Sequence, residues 1–148
     1  MKLTVTKENL VSGLSTWSLV DLSKRKLMRI KEFTLRQEPT VQTEHNCMPA
    51  EKFSLPENMT SVLKRPIWYS DIDGNGHMNN ARYGAFVIDS LPPEYQSKIF
   101  KDFRINYKQE AIQGQMIELL NNINEEEKKI TVVGKQSDGI CFEAELYW

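Results

Sequence analysis

The chain has 148 residues, 40% hydrophobic and 26% charged, with 7 Gly and 6 Pro, a composition that fits an ordinary globular domain and excludes a disordered or fibrous chain. Lys and Arg number 19 against 20 Asp and Glu, for a formal net charge of −1, so no basic excess marks a general nucleic-acid binder. The longest uncharged apolar run near the start, Leu14 to Val20, contains Ser and Thr and is too short for a signal-peptide core or a membrane span. The expectation is a cytoplasmic protein with no membrane partner, in which Cys47 and Cys141 are free thiols.

Two β-prone runs, Thr16–Leu22 and Lys26–Ile30, flank the polar turn Ser23-Lys24-Arg25, which predicts a hairpin that needs another element to pack on. Residues 34–60 carry Pro39, Pro49 and Pro56 among polar residues with no sustained period, and read as a linker or wrapping segment. From Ser61 the pattern sharpens. Arg65–Tyr69 reads as a short strand and Ser70–Gly76 as a dense turn. In Asn79–Leu91, the residues Tyr83, Phe86, Val87 and Leu91 recur at three- and four-residue spacing. This predicts a helix with one buried stripe, capped by Asn79 or Asn80 and closed by Pro92 and Pro93. Gly84 inside that helix costs about 1 kcal/mol relative to Ala, so a close backbone approach is expected there. Lys101–Tyr107 alternates, with Phe103, Ile105 and Tyr107 on one face. Gln115–Asn121, Lys129–Lys135 and Ile140–Trp148 supply three further strands, separated by turns at 122–128 and 136–139. One helix followed by an antiparallel meander is an α+β domain whose sheet wraps the helix.

Functional residue types are densest between Asp71 and Asn80, where Asp71, Asp73, Asn75, His77, Asn79 and Asn80 precede a helix start. Backbone amides at such a start favour negative charge, as on a carbonyl oxygen during acyl transfer. The competing reading is a plain turn and helix cap. His45 and Cys47 lack zinc-ligand spacing and read as solvated loop residues, so neither a metal nor a cofactor is expected. Trp17, Trp68 and Trp148 read as core or interface aromatics.

The run Trp68-Tyr-Ser-Asp71-Ile-Asp73-Gly-Asn75-Gly-His77-Met-Asn79-Asn80-Ala-Arg-Tyr83 resembles the D-x-D-x-N-x-H-V-N-N-x-x-Y signature of the acyl-acyl-carrier-protein (acyl-ACP) thioesterases, with Met78 where Val is usual. Leu91–Glu94 and Ile105–Gly114 resemble later segments of the same family, so the likeness runs in register over residues 65–120 or so. The resemblance implies a hot-dog fold, an antiparallel sheet around one central helix. It assigns Asp73, Asn75, His77 and Glu110 to the catalytic network. Glu110, helped by His77, would activate the water that attacks the thioester carbonyl, with Asn75 positioning groups and Asp73 orienting Asn75 or His77. The helix start at Asn79 and Asn80 would hold the oxyanion. Plant relatives carry Cys after the Glu, whereas this chain has Ala111, which excludes a cysteine nucleophile there.

The function so implied is hydrolysis of acyl-ACP to free fatty acid and holo-ACP in fatty acid biosynthesis, without a cofactor. The alternatives are a non-catalytic acyl-thioester-binding hot-dog protein and an acyl-CoA thioesterase. The implied partner is acyl carrier protein bearing acyl-phosphopantetheine. Lys24, Arg25, Lys26, Lys64 and Arg65 are its candidate contacts, against the simpler reading of a solvated turn. A homodimer is expected, because a lone hairpin leaves an edge and apolar surface to cover. The family resembles two fused hot-dog domains, and residues 15–33 look like the last hairpin of the first. The chain is therefore expected to be truncated: 1–33 a remnant hairpin, 34–60 a linker, 61–148 the hot-dog domain.

Overall fold

Asp21 closes a hairpin, because its carboxylate accepts the Ser23 and Lys24 amides at 2.9 and 3.0 Å. The turn pairs β1 (Val20–Asp21) with β2 (Lys26–Leu27), and the Met28 amide adds one bond to the Leu19 carbonyl at 2.8 Å. These strands are shorter than the expected Thr16–Leu22 and Lys26–Ile30. The computed structural model describes residues 13–21, 23–24, 26–29, 31, 47–49 and 51–148, so Leu22, Arg25, Ile30 and His45 lie outside the described residues. The chain divides into two units, Met1–Glu51 and Lys52–Trp148. In the first, Trp17 is 79% exposed and is not a core residue.

The second unit is built from β3 (Thr60–Pro66), α1 (Asn80–Asp89), a short helix α2 (Pro93–Gln96), β4 (Asp102–Tyr107), β5 (Met116–Asn124), β6 (Lys129–Gln136) and β7 (Gly139–Tyr147). The five strands form one antiparallel sheet in the order β3-β5-β6-β7-β4. β3 starts earlier than the expected Arg65–Tyr69 and ends at Pro66. Proline has no N–H to give the ladder, and its place on an edge strand tolerates that. Trp68 and Tyr69 instead lead through a 3₁₀ turn, Tyr69–Asp71, and both are exposed.

The helical stripe is buried as its spacing predicts: Tyr83, Phe86 and Val87 pack with Ile117, Leu119, Ile130, Val132, Phe142 and Leu146 of the sheet. Asn79 caps α1 by accepting the Ala81 amide at 2.9 Å, and Ser90 ends it. Asn121 on β5 donates to the Ser90 carbonyl at 2.9 Å, tying the helix end to the sheet. Pro93 does more than close α1: it occupies the first turn of α2, where a missing N–H costs nothing. Among the described residues no neighbour lies within 4 Å of a Cβ built on Gly84, so none makes the expected close approach. The close approach occurs at Gly134, where the Phe142 ring fills the space a side chain would need. This is the hot-dog arrangement, one helix held by an antiparallel sheet.

The other face of the sheet carries buried polar residues. Arg104, Glu145, Thr131 and Asn122 are successive cross-strand partners in one row over β4, β7, β6 and β5. Phe53 lies 5.0 Å beneath the Arg104 guanidinium at one end, and the Asn58 carbonyl accepts from Asn122 at 2.9 Å at the other. Phe53 and Asn58 thus meet the two ends of the row, and Glu145 and Thr131 at its middle are buried. Glu145 tolerates burial because Arg104 Nε and the Tyr147 hydroxyl donate to it at 2.7 and 2.8 Å.

Candidate active site

The segment from Asp71 to Asn79 is a tight loop held at its base. Asp71 is fully buried. Its carboxylate accepts the Trp68 amide at 3.0 Å and Arg82 Nε at 2.8 Å, and its carbonyl accepts the Asn79 amide at 2.8 Å. Burial alone would raise this carboxyl, but the Trp68 amide and the Arg82 and Arg65 guanidiniums outweigh it and hold it below its ordinary value. Inside the loop Ile72 bridges Met78, the Asp73 amide bonds the His77 carbonyl at 2.9 Å, and Asp73 Oδ1 accepts the Asn75 amide at 2.8 Å. Gly76, at φ +82°, takes the left-handed step that turns the chain back.

Glu110 reaches this loop from β4. At the end of that strand the Lys108 and Gln109 amides both turn to the Cys141 carbonyl, at 2.8 and 3.1 Å. The Met78 amide then bonds the Ala111 carbonyl at 2.7 Å, docking the loop against the chain beside Glu110. His77 Nε2 and Glu110 Oε2 end 3.2 Å apart, with the side chains 34% and 62% exposed. They line an open cleft of about 290 Å³ together with Asp73, Asn80, Tyr83 and Tyr107.

Tyr83 and Tyr107 meet edge to face at 5.1 Å in the cleft wall. Burial, reinforced by the neighbouring Cys141, pushes the Tyr83 hydroxyl well up, and burial raises Tyr107, so both stay protonated at neutral pH. The Cys141 thiol is buried, donates to the Gln109 carbonyl at 3.3 Å and is also pushed up by burial. A thiol so placed is no nucleophile. Among the described residues no three His, Cys, Asp or Glu side chains converge to hold a metal ion, and no helix is long and apolar enough to cross a membrane.

The acyl-ACP thioesterase C-terminal domain model matches residues 56–140, more than half of the chain. The chain belongs to this family. Among curated relatives, a chloroplastic acyl-acyl-carrier-protein hydrolase of Cuphea viscosissima is 24% identical, over 80% of this chain and 31% of its own. A chloroplastic oleoyl-acyl carrier protein thioesterase of Arabidopsis thaliana is 28% identical, over 78% of this chain and 34% of its own. The chain thus spans about a third of the length of these relatives. Among solved structures, an acyl-ACP thioesterase from Bacteroides thetaiotaomicron superposes with a TM-score of 0.59 at 21% identity, covering 86% of this chain and 52% of that one. A putative oleoyl thioesterase from Lactobacillus plantarum gives 0.61 at 20% identity, with the same coverage. At these identities the structural likeness speaks for the fold.

Measured against the residues the thioesterase signature assigns, the structure brings His77, Glu110, Asp73 and Asn80 to one cleft. Asn75 is not among its lining residues. It stands exposed at the loop tip, because Asp73 takes its amide and Gly76 turns the chain away. Asp73 accordingly shapes the loop backbone. At the helix start the Ala81 amide is taken by the Asn79 side chain and the Arg82 amide by the Asn79 carbonyl, leaving Asn80 N–H as the amide of that turn engaged by neither. Of the candidate carrier contacts, Lys24 lies 3.5 Å from Asp21 and Lys64 3.6 Å from Glu118, while Lys26 is exposed. Arg65 is committed within its own unit: it pairs with Asp89, lies 4.0 Å from Asp71 and stacks 4.0 Å over the Phe86 ring. Its charge is therefore largely neutralised. Sequence reasoning did not single out Tyr107, Lys108 or Gln109, although their place immediately before Glu110 puts them in the same wall.

Proposed function

We propose that this chain hydrolyses acyl thioesters carried on acyl carrier protein, releasing a free fatty acid and the carrier's thiol. The observation that carries the reading is the His77–Glu110 pair, 3.2 Å apart in a cleft beside the start of α1. With Nε2–H of His77 donated to Glu110 Oε2, the carboxylate is oriented to take a proton from a water in the cleft. That water attacks the thioester carbonyl carbon as Glu110 takes its proton, and negative charge develops on the carbonyl oxygen. The positive end of α1 at Asn80, which lines the cleft, would hold it. Collapse of the intermediate breaks the C–S bond, and the proton held by Glu110 passes to the departing sulfur.

The carrier-linked substrate is supported by the family and by the names of the relatives, and a place in fatty acid biosynthesis follows from that substrate. Lys24, Arg25, Lys26 and Lys64 would steer an acidic carrier. Self-association is part of the same reading: among the described residues β4 is the last strand of the sheet, and Phe103 and Tyr107 on it are about half exposed, a surface that a second sheet would cover. Sedimentation of a stable monomer at tens of micromolar would remove that part.

The test is release of thiol, followed with 5,5′-dithiobis(nitrobenzoate), from acyl-ACP and from acyl-CoA. Release from acyl-ACP at the higher kcat/KM, lost in Glu110→Gln, is the expected result. Binding of acyl-ACP without release would reassign the chain as a thioester-binding protein, and a preference for acyl-CoA would reassign its substrate.

A further inference from the structure

We propose that Arg82 is a positioning residue for the His77–Glu110 pair, acting through Asp71; the proposal deepens the hydrolysis reading and rests on it. Arg82 is not among the side chains that line the cleft. It stands in the first turn of α1 and sets both Nε and Nη2 at 2.8 Å from one oxygen of Asp71. The other oxygen accepts the Trp68 amide at 3.0 Å, and the Asp71 carbonyl accepts the Asn79 amide at 2.8 Å. One buried residue therefore joins the turn before the catalytic loop, the last residue of that loop and the helix that follows it.

His77 is carried between these anchored ends. Its neighbour Met78 bridges Ile72, next to Asp71, on one side and bonds the Ala111 carbonyl at 2.7 Å on the other, beside Glu110. The two catalytic side chains are themselves partly exposed, and the backbone that carries them helps to set their separation. Reacting groups misplaced by about 1 Å lose up to about 10²-fold in rate. Arg82 is 40% exposed, and Arg65 lies 4.0 Å from the same Asp71 oxygen, so a cation stays beside the buried carboxylate when Arg82 is shortened. That makes the role separable from folding.

The test uses the whole chain with Arg82→Gln, Arg82→Lys and each combined with Glu110→Gln. Arg82→Gln is expected to lower kcat roughly 10- to 10²-fold on acyl-ACP with KM nearly unchanged. Arg82→Lys, which keeps a cation on Asp71, should recover part of the loss. In the Glu110→Gln background Arg82→Gln should cost little more, because the pair it positions is already broken. A readout apart from activity is the ring resonance of isotopically labelled His77, which Glu110→Gln should shift in the parent, leave nearly unmoved in the Arg82→Gln background and shift by an intermediate amount in the Arg82→Lys background. A folded Arg82→Gln protein with parental kcat, losses that multiply with Glu110→Gln, or an unchanged His77 response would each overturn the proposal. If Arg82→Gln does not fold, the Arg82→Lys measurements decide by the same criteria. If the parent releases no thiol from any thioester, the hydrolysis reading fails on its own, and the His77 resonances still decide whether Arg82 positions the pair.

Discussion

His77 Nε2 stands 3.2 Å from Glu110 Oε2, one residue on the loop into α1 and the other just beyond the end of β4. If Glu110 is the base, Glu110→Gln keeps the shape of the side chain, removes proton acceptance and lowers hydrolysis by roughly 10²–10⁴-fold. His77→Ala should lose a similar amount, and the double variant far less than the product, because the two act as a unit. Thermal stability should barely move, since a solvent-exposed pair is worth about 0–1 kcal/mol. Steady-state kinetics beside a melting curve check this, and a folded Glu110→Gln protein working at the parent rate would refute the assignment of the base.

Asp71 gives the fold an acid-sensitive tie. Its carboxyl is held below its ordinary value in the folded chain, so the stability it contributes is fully present above the unfolded value near pH 4 and is lost as pH falls through the lower folded value. Asp71→Asn should therefore be less stable than the parent at pH 7, with the gap narrowing toward pH 3. Denaturant unfolding at both pH values measures it; a gap that does not depend on pH would mean that Asp71 stabilises by shape alone.

Two glycines should respond in opposite directions. Gly84 has open space around a built Cβ and sits inside α1, so Gly84→Ala is expected to stabilise by about 0.5–1 kcal/mol through helix propensity and a stiffer unfolded chain. Gly134→Ala would drive a methyl into the Phe142 ring and should destabilise by about 1–3 kcal/mol. Melting temperatures of the two variants, taken together, test the packing around α1 and β6; a stabilised Gly134→Ala would contradict it.

Recruitment of an acidic carrier should be salt-sensitive. Lys26 is exposed, and Lys64 meets Glu118 only at 3.6 Å on the surface, so both can meet a second protein. The kcat/KM on acyl-ACP should fall more steeply between low and high salt than that on acyl-CoA, and Lys64→Glu should flatten the difference. Equal slopes for the two substrates would leave these lysines as ordinary solvated residues.

The buried stripe of α1, a cap at Asn79 or Asn80, the alternation of β4 and the existence of β5 to β7 were legible before any coordinates, because each element carries its own pattern within a few residues. The loop bearing His77 was legible for the same reason: Asp, Asn and Gly in close succession encode a turn through their own backbone bonds. The link from His77 to Glu110 came from resemblance, since no local window contains it.

Tertiary contact settled the remainder. That Asp71 is buried on Arg82 while Asp73 lines the cleft depends on which carboxylate a helix turn comes to lie beside, and both sit in the same short polar run. That Phe53 meets Arg104 and Asn58 meets Asn122 depends on the strand order, which places Arg104 and Asn122 at opposite ends of one row. Gly134 and Gly84 look alike in a sequence, and only the register of β6 on β7 sets an aromatic ring over the first. The physical reason is common to all three: burial periodicity is a property of each element, whereas the partner across the sheet or across the cleft is set by register and by chain reversals tens of residues away.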